Sequence, residues 1–158
     1  MKKILVIVGC VTICLGVGYA SSFATQSSIN TWYTTLNKPF FNPPNWVFAP
    51  VWTLLFILMG IAAGRIANLY QSQPELVKKA LIFFGIQLAL NALWSILFFG
   101  LCNPMLAFFE IILLGLFIFE TIKAFAVLDK ISSYLLYPYM AWVSYAALLN
   151  VSIWQLNP

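Results

Sequence analysis

Five long apolar stretches leave this chain little choice of fold. They run roughly over 4–24, 46–70, 79–100, 104–128 and 133–154. A helix needs about 20 such residues to cross a bilayer. Composition agrees: 63% of the 158 residues are hydrophobic and 8% are charged, whereas a soluble domain carries about 25% charged residues. One water-soluble core could not enclose that much apolar surface. The expected fold is all-α, an integral membrane protein built as a five-transmembrane-helix bundle, with 1–158 as one membrane domain. The connection Leu101-Cys102-Asn103 is so short that the helices flanking it must be antiparallel neighbours. The one long connection, 25–45, is the first.

The first apolar stretch follows Met1-Lys2-Lys3 and ends near the small residues around Ala20, a pattern that resembles a secretory signal. Ile7-Val8-Gly9-Cys10 also resembles a lipidation box, but the apolar run before Cys10 is too short for one. The stretch is expected to remain as the first helix. Lys2, Lys3, Arg65, Lys78, Lys79, Lys123 and Lys130 fall on the side holding the amino terminus, and Lys38 alone falls on the other. Basic residues stay on the cytoplasmic side. The amino terminus is therefore expected inside and the carboxyl terminus outside, in what would be a bacterial cytoplasmic membrane. Scattered in this way, a net charge of +4 does not indicate a nucleic-acid binder. There is no histidine, and Cys10, Cys14 and Cys102 make no metal-ligand pattern. Gly60-x-x-x-Gly64 and Gly85-x-x-x-Ala89 could each bring helices close, within one chain or across a dimer.

Just before the second stretch lies KPFFNPPNWVFAPVW, Lys38 to Trp52. Pro39, Pro43, Pro44 and Pro50 fix φ and remove backbone donors. Phe40, Phe41, Trp46, Phe48 and Trp52 add bulk. The segment reads as a stiff lid at the outer membrane surface or as an interfacial loop with its aromatic belt.

Polar residues inside a membrane usually face the bundle interior or a cavity. Gln87, Asn91, Trp94 and Phe98 share one helix stripe. At 1.5 Å per residue, Trp52, Trp94 and Glu110 all lie about 9 Å below the outer boundary. Asn91 is a turn deeper and Trp142 lies nearer the middle. Such a set suits a cavity for a large flat ligand, and hydrogen bonding between helices is the alternative. Glu110 has no basic partner at that depth. It is expected either to be neutral or to be held by donors lining the cavity, and from there to bond a ligand. Glu120 with Lys123 reads as an i,i+3 ion pair, and Pro138 as a kink in the fifth helix.

Trp32-Tyr33, followed by Leu36-x-Lys38-Pro39-x-Phe41-x-Pro43-Pro44-x-Trp46-Val47-Phe48-x-Pro50-Val51-Trp52, resembles the signature of the TspO family. These are bacterial tryptophan-rich sensory proteins related to the mitochondrial translocator protein, or peripheral benzodiazepine receptor. Asn91-x-x-Trp94-Ser95 and Leu136-Tyr137-Pro138-Tyr139-x-Ala141-Trp142 resemble its third- and fifth-helix motifs. The resemblance implies a bundle that usually forms a homodimer, with a pocket under the first loop. Its ligands would be porphyrins such as protoporphyrin IX, isoquinoline or benzodiazepine drugs and, in animals, cholesterol. It implies a ligand site of Tyr33, Phe48, Trp52, Asn91, Trp94, Glu110, Trp142 and Ala146, with Pro39, Pro43, Pro44 and Trp46 in the lid. No cofactor is expected beyond porphyrin as ligand, and the natural surroundings are the lipid bilayer. Leu149 to Gln155 departs from the cholesterol motif of animal members, having neither its Tyr nor its basic residue. That departure fits a bacterial member. A receptor or sensor is the leading reading. A porphyrin-degrading enzyme working through Trp52 and Trp142 is a second. A tetrapyrrole transporter is a third, opposed by the lack of internal repeats and of a broken helix pair.

Overall fold

The structure is a computed structural model that describes residues 1–158. Five long helices dominate it: α1 (Lys2–Ser28), α2 (Phe48–Ala67), α3 (Pro74–Ser95), α4 (Pro104–Leu128) and α6 (Tyr137–Leu156), with a short α5 (Lys130–Tyr134) before the last. The first four are long and apolar enough to cross a membrane. α6 is 20 residues long and carries no charged residue, although its tyrosines, serines and Asn150 make it less apolar. The protein is thus an integral membrane helix bundle.

α1 packs along α2, α3 along α4, and α4 along α6, while α1 also meets α3. The α1–α2 seam is set by glycine. A Cβ on Gly60 would lie 2.3 Å from the Val11 Cα, and one on Gly64 would lie 2.6 Å from the Ile7 Cα. Neither position can hold a side chain at this separation, so the first small-residue pattern is an internal contact. Gly85 has nothing within 4 Å, and its pattern lies on the outer surface of α3 with Ala89 exposed. The core between the helices is filled by Met59, Ile66, Leu114, Ile118, Phe125, Leu136 and Tyr139, all almost fully buried.

Helix ends differ from the sequence expectation where polar residues hide or mimic a boundary. α1 runs on to Ser28, past the expected end at 24. The Ser28 hydroxyl is buried and donates to the Phe99 carbonyl at 2.7 Å, so the polar tail of α1 is packed rather than free. α3 begins at Pro74, not at 79. Proline is suited to the first turn of a helix, where its missing N–H has no partner to lose. α3 then widens into a π-turn over Ile96–Gly100, which brings both Phe98 and Phe99 to buried positions. Cys102 follows with φ 52, a left-handed residue that lets the chain reverse in a few positions. The Asn103 side chain then caps α4 by accepting from the Leu106 N–H at 3.0 Å.

The fifth stretch is not one kinked helix. Asp129 caps α5 by accepting from the Ser132 N–H at 3.3 Å and from its hydroxyl at 2.6 Å. α6 then starts afresh at Tyr137 with Pro138 in its first turn. Pro138 therefore opens a helix where a kink was expected. Arg65, at the end of α2, donates to Asp129 at 2.8 Å and ties that corner to α2. The expected pair of Lys123 with Glu120 is present at 3.0 Å.

Candidate functional site

Beneath the first loop lies a cavity of about 610 Å³ walled by α1, α2, α3 and α6. Its deep side is aromatic. Trp52 meets Trp142 edge to face, with ring centroids 6.5 Å apart, and Phe48 meets Trp142 at 6.2 Å. Across the cavity, Trp94 stacks on Phe98 at 5.1 Å. None of the residues that form the wall is charged. A wall of this kind suits an apolar ring system held by a few placed polar groups.

Of the residues read from the sequence, Tyr33, Phe48, Trp52, Asn91, Trp94, Trp142 and Ala146 come together on this wall. Glu110 does not. It is buried on α4, 8% exposed, and neither carboxyl oxygen has a hydrogen-bond partner. It stands behind the wall, within electrostatic reach of the Tyr139 hydroxyl. Helical depth placed it level with Trp52 and Trp94. Depth says nothing about which way round α4 a side chain points, and that rotation separates Glu110 from the cavity.

The polar groups of the wall are mostly committed to the fold. Asn91 donates to the Tyr139 hydroxyl at 2.8 Å, and that hydroxyl donates to Gln87 at 2.7 Å. Gln87, predicted on the same stripe, is buried between helices and is absent from the wall. The Trp94 indole donates to Asn150 at 2.9 Å, and Asn150 donates to the Pro104 carbonyl at 2.7 Å. Trp142 differs: its indole Nε1 is buried and has no partner. A buried donor without a partner costs free energy.

The loop from Ile29 to Pro44 closes the end of the cavity. Burial pushes the Tyr33 phenol above its ordinary range. It stays protonated and donates to Asn42 at 3.1 Å, with the Lys38 ammonium 4.6 Å above its ring. The loop is also fastened to α6. The Tyr145 hydroxyl donates to the Phe41 carbonyl. Asn157 accepts from the Asn37 N–H and donates to its carbonyl, both at 2.9 Å. Pro39, Pro43 and Pro44 fix φ in this loop, and neither they nor Trp46 touch the cavity, where Asn45 is the contact instead. Phe40 and Trp46 point outward, 100% and 74% exposed, as residues of an interfacial aromatic belt do.

Sequence reasoning missed the α1 wall: Leu15, Gly18, Tyr19, Ser21, Ser22, Thr25 and Gln26. A signal was present. Small and hydroxyl residues crowd the last third of α1, where an ordinary membrane helix would be greasy. Phe99 and Asn150 were also missed. The first depends on the π-turn, and the second on pairing with Trp94.

A family model described as the TspO/MBR family matches residues 10–155. The tryptophan-rich protein TspO of Chlorobaculum tepidum is 46% identical over 99% of both chains. The protein of that name in Archaeoglobus fulgidus is 44% identical over 98% of this chain and 99% of its own. The translocator protein of Ovis aries is 37% identical over 80% of this chain and 75% of its own. A bundle of this form, a loop-covered aromatic cavity and matches of this length have one meaning: the chain belongs to the TspO/MBR family.

Proposed function

We propose that the protein is a membrane receptor for planar, largely apolar ligands of the tetrapyrrole class, with isoquinoline- or benzodiazepine-like rings as smaller alternatives. The observation that carries this reading is the charge-free cavity walled by Phe48, Trp52, Trp94 and Trp142. The cavity volume of about 610 Å³ falls within the range of small-molecule sites, roughly 300–1,000 Å³. Phe48, Trp52, Trp94 and Trp142 contact the ring faces and edges. Tyr33 and Ala146 limit the two ends, and Asn91 contributes its amide. Glu110 stands off the wall and does not touch the ligand. The amino terminus lies in the cytoplasm and the lid outside, on the strength of the basic residues. Two copies associate through the open face of α3 around Gly85 and Ala89.

The test is tryptophan fluorescence during titration with protoporphyrin IX in detergent or nanodiscs. Saturable quenching, tighter than for an unrelated five-helix membrane protein, is expected. Quenching no tighter than in that control would sink the proposal. The edge contact of Trp52 with Trp142 favours one second reading, light-driven oxidative breakdown of the bound ring. That reading requires product in excess of one equivalent per site under illumination in air.

A further inference from the structure

Five residues of the cavity wall are exposed to the outside: Tyr19, Gln26, Asn45, Ala49 and Thr53. All five lie on α1, on α2 or at the junction of lid and α2. No wall residue of α3 or α6 is exposed in this way. The cavity therefore opens along one line, the seam between α1 and α2. The seam itself changes character along its length. At Gly60 and Gly64 the two backbones touch. At Gly18 the contact is with a side chain: a Cβ there would lie 2.6 Å from the Phe56 ring. Nearer the lid, the facing edges of both helices become cavity wall, with Ser22 and Gln26 on one side and Ala49 and Thr53 on the other. The far end of the loop is meanwhile clasped to α6 through Asn37, Phe41, Tyr145 and Asn157.

We propose that the lid-side part of the α1–α2 seam is a lateral doorway, through which an apolar planar ligand passes directly between the bilayer and the cavity. This rests on the ligand-binding reading above. The seam hydroxyls fit the role. Ser22 and Thr53 donate to carbonyls of their own helices at 2.6 and 2.7 Å, so neither hydroxyl offers an unpartnered donor to lipid. Their oxygens still accept hydrogen bonds. With no charge on the wall, the ionised groups of a ligand such as a dicarboxylic porphyrin stay in the doorway, near the headgroups, while the ring goes in. The lid then acts as a fixed roof, not the moving part.

The experiment compares the parent with Ala49→Trp and Thr53→Trp, which narrow the doorway, and with Asn157→Ala, which loosens the roof. Stopped-flow quenching by protoporphyrin IX is followed in vesicles. Narrowing the doorway is expected to slow association about tenfold, and to slow dissociation with it. A mere lost contact would speed dissociation instead. Asn157→Ala is expected to leave both rates within about twofold of the parent. Unchanged rates in both tryptophan variants, or faster association in Asn157→Ala alone, would overturn the doorway while leaving binding intact. Absence of binding in the parent would instead overturn the ligand reading. The doorway is then decided by labelling Ala146→Cys, in a chain lacking its native cysteines, with a lipid-soluble maleimide. Labelling slowed by the tryptophan variants supports the doorway, and labelling at an equal rate refutes it.

Discussion

Two tryptophans on the same wall carry opposite expectations, because one indole N–H is used by the fold and the other is not. Trp94 donates to Asn150. Trp94→Phe leaves that acceptor short of a partner and should destabilise the protein by about 1–3 kcal/mol, measured by thermal unfolding in detergent. Trp142 has no partner to lose. Trp142→Phe should spare stability yet weaken porphyrin binding several-fold, because the smaller ring covers less of the ligand. Equal affinity in that variant would remove the indole from the site. Glu110 is the third case. Both its oxygens are buried and unpartnered, and an apolar replacement removes that cost. Glu110→Leu should therefore raise the unfolding temperature. Because Glu110 stands behind the wall, the same variant should shift ligand affinity by less than about threefold. A tenfold loss would place the carboxyl in contact with ligand after all.

Among the elements, the helix seams differ in what they tolerate. Gly60 meets backbone, and Gly85 meets nothing within 4 Å. Gly60→Leu should force α1 away from α2 and abolish folded protein, seen as loss of a monodisperse species after extraction. Gly85→Leu should leave the fold intact and shift cross-linking in nanodiscs from dimer to monomer; persistence of the dimer would refute the α3 face. The α2–α5 corner gives a pH dependence. The Arg65 hydrogen bond, with help from Ser132, holds the Asp129 carboxyl below its usual range. A carboxylate whose folded pKa is depressed stabilises the protein above its unfolded value of about 3.9, and that stability is lost as pH falls through the folded value. Unfolding temperature should drop on acidification below about pH 4. Asp129→Asn should flatten this drop and lower stability at neutral pH. A parent insensitive to acid would show that the corner does not matter.

For the whole molecule, orientation is open to a direct measurement, because the three cysteines are placed unequally. Cys10 and Cys14 sit within α1, and Cys102 lies in the turn between α3 and α4 at the lid end. If the positive-inside assignment holds, a membrane-impermeant maleimide should label intact cells, and Cys102→Ser should abolish the labelling. Labelling that requires lysis would invert the topology.

The class of fold and the aromatic side of the candidate site were legible before any coordinates. Five apolar runs in a nearly charge-free chain dictate a membrane bundle, because lipid imposes both length and composition on a spanning helix. The aromatic residues before α2 and along α3 and α6, with Asn91 among them, announce a cavity, because an amide is costly against lipid and turns to the bundle interior. Helix rotation, seam separation and hydrogen-bond allocation were not legible. Glu110 and Trp94 share a depth, yet only Trp94 reaches the cavity. Pro138 begins a helix because Asp129 and the α5 turn precede it. The π-turn that brings in Phe99 has no local sequence mark. The last third of α1 becomes a wall because glycine contacts lower down set where the two helices part. Periodicity and composition act along one chain segment at a time. Which group faces which, and where two helices separate, depends on contacts between segments, and those exist only once the bundle has packed.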